Sequence, residues 1–300
     1  MRIAIQSSDL TRRYANGSGV VGLDLCVPES SIYAFLGPNG AGKTTTIRLL
    51  LGLLQAERGR VEIFGRPASL TARTQVAALV ESPSLYLHLS GQDNLEVTRR
   101  LLGLPASAVD RALRRVDLQS AATRKVREYS LGMRQRLALA LALLGQPRLL
   151  ILDEPSNGLD PPGILALRAL IRSLCQDEGL SVFLSSHLLS EVDQLATHVG
   201  VLQQGRLRFQ GPLSELRARI VPHLRLSATP MEQVIQELSA MGIEWTHVDA
   251  GLRLSPSAWS SAEINARLVR AGIQVHAIAP ESISLEDLYF DLTETQHASL

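Results

Sequence analysis

A chain of 300 residues with 45% apolar side chains can form two domains, or one large α/β domain with an appendage. Its formal net charge of +1 excludes a nucleic-acid protein held by bulk electrostatics. Aromatic residues make up only 4%, so Leu, Ala, Val and Ile must fill the core. Cys26 and Cys175, far apart in sequence, read as reduced core thiols rather than a disulfide framework.

The first residues, Met1-Arg2-Ile3-Ala4-Ile5-Gln6, lack the apolar run of a signal peptide. Residues 2–9 and 20–27 alternate apolar and polar, which predicts an antiparallel pair. Between them Tyr14 sits in a polar turn, where its ring suits either stacking on a base or half-buried packing. Ile32-Tyr33-Ala34-Phe35-Leu36 is a short apolar strand that runs into Gly37-Pro38-Asn39-Gly40-Ala41-Gly42-Lys43-Thr44-Thr45. This fits G-x-x-x-x-G-K-[ST]. Glycines let backbone N–H groups curl around a polyphosphate, and the helix predicted from Lys43 to Leu54 points its positive end at the same anion. Lys43 supplies a mobile charge for the outer phosphates, and the Thr44 hydroxyl suits Mg²⁺. Only two lysines, Lys43 and Lys125, stand among 30 basic residues, so a lysine at this position is not what random usage supplies. The stretch predicts a nucleoside triphosphate site.

Arg60–Phe64 and Val76–Val80 read as strands, the second running into Glu81-Ser82-Pro83. From Ser90 to Glu128 the pattern is helical and Arg-rich, with Arg111, Arg114 and Arg115 on a solvated face. Ser130 then caps a strongly apolar helix reaching Leu144 and leaves the following N–H groups free to face an anion, though the residues equally suit a plain helix start. This is the richest apolar region, 137–152, but Gln146-Pro147-Arg148 interrupts it short of the roughly 20 residues a membrane span needs. A cytoplasmic chain is expected, with any membrane work done through a partner.

Leu149-Leu150-Ile151-Leu152-Asp153-Glu154-Pro155 is an apolar strand ending in two carboxylates, and Pro155 stops the ladder. Both acids should lie at the strand's C-terminal edge, where α/β sheets bind ligands. Asp153 suits Mg²⁺ and Glu154 suits activation of water, with strand alternation turning the two apart. A turn at 156–161, a helix at 162–176 and a buried strand at 181–184 lead to Ser185-Ser186-His187. A lone histidine at a strand end is more often structural than catalytic. Val199–Gln203 and Arg206–Gln210 flank Gly205 like a hairpin, and residues 212–220 read as helix.

Near residue 220 the composition shifts. Residues 224–278 read strand, helix, strand, strand, helix, strand, the order of a ferredoxin-like split βαβ unit. No chemistry-bearing cluster lies there, so the unit reads as a docking or dimerising module, followed by a short amphipathic helix at 284–290.

Together the motifs over residues 1–218 resemble the ATP-binding subunit of an ABC transporter. Residues 37–45 resemble its Walker A loop, 149–154 its Walker B strand with the catalytic glutamate, and 130–136 its signature. Asn157–Asp160 is similar to the D-loop and His187 to the switch histidine, while Tyr14 falls where the adenine-stacking aromatic lies. Leu131 and Met133 replace the commonest Gly and Gln of the signature. Glu81 stands where the family has the Q-loop glutamine, a departure similar to bacitracin- and lantibiotic-resistance ATPases.

The resemblance implies an α/β P-loop NTPase core (1–218), with a helical subdomain at about 90–145 and an antiparallel β subdomain. A small α+β C-terminal accessory or dimerisation domain would occupy 219–300. Two copies, or one copy and a paralogous ATPase, would sandwich two ATP molecules. Each nucleotide would meet Tyr14 and Gly37, Pro38, Asn39, Gly40, Ala41, Gly42, Lys43, Thr44 and Thr45 of one subunit, with Ser130, Gly132 and Asp160 completing the site. Glu154, His187 and Lys43 would be catalytic, and Thr44, Asp153 and Glu81 would lie at Mg²⁺. The expected protein is an exporter ATPase on the inner face of the membrane, held there by separate transmembrane permease subunits and binding no nucleic acid. A non-transport ABC ATPase of translation or DNA maintenance usually carries a second ATPase domain or a long coiled coil before the signature, and these 300 residues have neither. Against a purely regulatory ATP-binding module stand Glu154 and His187.

Overall fold

A computed structural model describes residues 2–15, 17–68, 74–80, 84–218, 223–249, 251–255 and 257–280. Glu81 and the predicted helix at 284–290 lie outside the described residues. The chain divides into two compact units, Met1–Ser214 and Glu215–Leu300.

The first unit is organised by a six-stranded sheet. Five strands run parallel: β4 (Ile32–Leu36), β7 (Val76–Leu79), β8 (Leu149–Leu152), β9 (Ser181–Ser186) and β10 (His198–Gln203). Antiparallel β11 (Arg206–Pro212) closes one edge, giving the order β11-β10-β4-β9-β8-β7. Every residue of β4, β8 and β9 is buried, which is why they read as unbroken apolar runs rather than alternating ones. Tyr33 and Phe183 stack across β4 and β9 at 5.5 Å, beneath Ile47 and Leu50 of α1 (Lys43–Leu50) in the same core. Helix α1 is shorter than predicted. Gly52 takes a φ of 62°, and its N–H and that of Leu53 fold back onto Leu49 and Arg48 carbonyls, which ends the helix before Leu54.

A second, antiparallel sheet is built on β1 (Ile3–Arg13) in the order β2-β1-β5-β6, with β3 also on β1. The predicted partner at 20–27 is two strands, β2 (Gly19–Leu23) and β3 (Cys26–Pro28), alongside β5 (Arg58–Ile63) and β6 (Arg66–Pro67). Ser7 accounts for the break: its hydroxyl donates to Leu23 O (2.8 Å) and accepts from Leu25 N–H (3.0 Å), substituting for ladder bonds there. Cys26 is exposed on β3, not a core thiol, because alternation along that short strand turns Val27 inward instead; Cys175 is buried.

The helical segment comprises α2 (Gly91–Leu101), α3 (Ser107–Arg115), two 3-10 turns (Gln119–Ala121 and Val126–Glu128) and α4 (Leu131–Leu143). Ser90 and Asp93 form a capping box on α2, and Ser130 caps α4. Then follow α5 (Pro161–Glu178), α6 (Leu189–Leu195) and α7 (Leu213–Ala218).

The second unit has its own core and a four-stranded antiparallel sheet, β13-β14-β12-β15. Its elements are β12 (Leu224–Thr229), α8 (Met231–Ala240), β13 (Trp245–Val248), β14 (Gly251–Leu254), α9 (Ser261–Arg270) and β15 (Gln274–Pro280). Leu226, Val234, Leu238, Ile264 and Leu268 are fully buried between sheet and helices.

Candidate active site

Strand order decides what meets what. β9 lies between β4 and β8, so the segments leaving all three C-terminal ends, at Gly37, Asp153 and His187, converge on one edge of the sheet. The loop after β4 is shaped by close approach. A Cβ on Gly37 would stand 2.6 Å from Leu202 O, and one on Gly42, whose φ is 108°, 2.8 Å from Gly19 O. Gly42 is the N-cap of α1, which has no side-chain cap and no acid in its first turn. The leading N–H groups and the positive end of the helix dipole therefore remain available to an anion.

Lys43 is only 6% exposed. Its ammonium donates to Gly37 O (2.7 Å) and Pro38 O (3.3 Å) and pairs with Glu154 Oε1 at 3.0 Å. Glu154 Oε2 lies 2.8 Å from His187 Nδ1. One carboxylate thus ties together groups from all three strand ends.

The two acids diverge for a different reason from the strand alternation expected. β8 ends at Leu152, and Glu154 adopts a left-handed φ of 48°, a conformation that costs a non-glycine residue roughly 1–2 kcal/mol. Ser185 pins it there. Its hydroxyl accepts from Glu154 N–H (2.8 Å) and donates to Asp153 Oδ1 (2.6 Å). Sequence reasoning missed this role, since Ser185 meets the acids only through the pairing of β8 with β9. It also missed Gln135, whose Nε2 donates to Pro155 O (3.2 Å), and Ser18, which lines the cavity below.

Asn39, Gly40, Gly42, Lys43, Thr44 and Thr45 line a cavity of about 300 Å³ that Glu154 and His187 also reach. Thr44, Asp153 and Glu154 line a second of about 630 Å³, and Thr44, Glu154 and Asn157 belong to both. A hydroxyl and a carboxylate in one cavity are hard oxygen donors. No group of three or more His, Cys, Asp or Glu suited to a metal occurs among the described residues. That donor set fits Mg²⁺, which takes one or two protein oxygens and completes its shell with water and phosphate.

Ser130, Gly132 and Asp160 are not brought to this cavity. They line a separate one of about 230 Å³. Ser130 Oγ accepts from Met133 N–H (3.2 Å), and Asp160 Oδ1 caps α5 by accepting from Gly163 N–H (3.1 Å). Tyr14 is 37% exposed, with the Arg12 guanidinium 5.7 Å from its ring centre.

A parallel sheet, a glycine loop opening a helix, a buried lysine and paired acids at the end of the strand one removed from it define a phosphate-loop ATPase. Residues 20–157 match the family described as ABC transporter. The bacitracin transport ATP-binding protein BcrA of Bacillus licheniformis is 38% identical over 300 residues, covering 97% of this chain and 98% of that protein. The lantibiotic transport ATP-binding protein SrtF of Streptococcus pyogenes is 38% identical over 203 residues, covering 68% and 88%. A solved ATP-binding subunit of an ABC transporter superposes with a TM-score of 0.63 at 30% identity, over 72% of this chain and 92% of that one. The chain belongs to the ABC transporter family, among its ATP-binding subunits, and its reaction is ATP hydrolysis.

Proposed function

We propose that this chain drives export of a peptide-like antibiotic through separate transmembrane permease subunits, working as an ATP-sandwiching dimer on the cytoplasmic face of the membrane. The names of the bacitracin and lantibiotic relatives support the cargo class. The observation that carries the mechanism is the partition of the site: Lys43, Glu154 and His187 share one cavity, while Ser130, Gly132 and Asp160 stand apart in another. A nucleotide on one subunit's loop then needs the second set from a partner.

Without nucleotide, Lys43 neutralises Glu154. Outer phosphates compete for the ammonium and release the carboxylate. Glu154 then takes a proton from the water that attacks the γ-phosphate, and His187 holds the carboxylate in place. The γ-phosphate's bond to the leaving β-phosphate oxygen breaks, giving ADP and phosphate. Thr44 and Asp153 would hold Mg²⁺, which supplies neutralisation of charge on the outer phosphates. Hydrolysis removes the bridging charge and lets the dimer open. The second unit we read as a ferredoxin-like accessory or dimerisation domain, which its βαββαβ order and strand order support.

Glu154→Gln keeps size and hydrogen bonding but cannot take a proton. Turnover should fall by roughly 10²–10⁴-fold while ATP still binds. The variant should accumulate as a dimer with Mg-ATP in size-exclusion chromatography with light scattering. A variant that hydrolyses normally, or binds ATP and stays monomeric, overturns the mechanism.

A further inference from the structure

Behind the catalytic edge, Arg168 of α5 and Glu191 of α6 line one small cavity of about 10 Å³, with Leu167, Ile171, Leu184 and Val192 among its apolar walls. That is the room a single water molecule requires. Glu191 is 8% exposed, and its Oε1 is buried without a protein partner; so is Arg168 Nε. One is an acceptor and the other a donor. Arg168 is already anchored to the same helix, because its Nη1 donates to Gln194 Oε1, and Arg172 Nη2 donates to Gln194 O. Residues 191 and 194 are three apart on α6, so they share the face that α5 addresses.

The other oxygen of Glu191 leads toward the catalytic edge. Oε2 accepts from Ser186 Oγ (3.4 Å), and that hydroxyl accepts from Leu188 N–H (3.0 Å). Ser186 O accepts from Gly37 N–H at the start of the phosphate loop (3.3 Å). His187 lies between these fixed points.

We propose that one buried water accepts from Arg168 Nε–H and donates to Glu191 Oε1, and that Arg168 and Glu191 are positioning residues that hold the His187 turn against α5. Helix α5 starts at Pro161 with Asp160 as its N-cap, so the bridge ties the helix that follows that turn to the turn that carries His187. Leaving either group unpaired in an apolar wall is unfavourable, which gives the bridge its rigidity. The inference rests on the role given to His187 above.

Steady-state ATP hydrolysis by the full chain tests it. Glu191→Leu should lower kcat by roughly 10–10²-fold, the effect of an ångström-scale displacement of a catalytic group, with KM for ATP unchanged. Glu191→Gln, which keeps one acceptor for the water and can donate its amide N–H to Ser186 Oγ, should restore kcat. Arg168→Met should match Glu191→Leu, and the double variant should be no worse than either single one. Hydrogen exchange over residues 185–190 should quicken in Glu191→Leu and Arg168→Met but not in Glu191→Gln. Wild-type kcat in Arg168→Met, or losses that add in the double variant, overturns the bridge; should Glu191→Leu not fold, the Arg168→Met and Glu191→Gln pair decides alone. His187→Ala separates the two levels. If it keeps wild-type turnover, the role of His187 fails; if it loses turnover while Arg168→Met does not, only the bridge fails.

Discussion

Lys43 spends its three ammonium donors on two loop carbonyls and Glu154, so its charge is stored among protein oxygens. Phosphate oxygens can take over these contacts because they carry more charge than a carbonyl and sit where the α1 dipole also favours an anion. Lys43→Ala should therefore lower phosphate release by roughly 10²–10³-fold, the range for deleting one preorganised electrostatic group. Phosphate release from purified protein checks this, with the membrane partner present if turnover requires it, and unchanged turnover would remove Lys43 from the site. The residue is not solely a ligand group. Its loss leaves Glu154, only 19% exposed, with the His187 ring as its neighbouring side chain. Ser185 matters on the same scale, since it holds the backbone of one acid and the side chain of the other at a residue in a left-handed conformation.

Among the elements, α1 and α4 start in contrasting ways. α1 begins at a left-handed glycine with no side-chain cap and a buried lysine as its first residue, while Ser130 caps α4 and leaves Gly132 beside it in a cavity separate from the one the phosphate loop lines. Ser130→Ala should cost about 1 kcal/mol in urea unfolding through the lost cap. It should leave ATP binding to the monomer intact and remove ATP-driven dimerisation. Weakened binding to the monomer, measured by titration, would place Ser130 in the nucleotide site of its own subunit.

For the whole molecule, the two compact units each have a separate core, and all the converging catalytic groups belong to the first. A chain ending after residue 220 should keep the ATP affinity of the full-length protein by isothermal titration. Lost binding in a truncation that retains its circular-dichroism spectrum would assign part of the site to the second unit. No helix among the described residues is long and apolar enough to cross a membrane.

The chain alone determined the chemistry that is contiguous in sequence. Residues 37–45 carry glycines, lysine and hydroxyl within one loop and helix start, and 149–154 carry an apolar strand and its two acids, so local backbone preference is enough to read them. The element order of the second unit was legible for the same reason, while in the first the break at Ser7 that splits 20–27 into two strands was not. Tertiary structure alone decided the neighbours. Periodicity tells which face of a strand is buried, not which strand lies beside it, and β9 reaches its place between β4 and β8 from far along the chain. That placement set His187 and Ser185 around Glu154 and, through Glu191, Arg168 behind them. The left-handed turn at Glu154 was likewise invisible, because an unfavourable φ is held by the hydroxyl of a distant residue and not by any preference of its own segment.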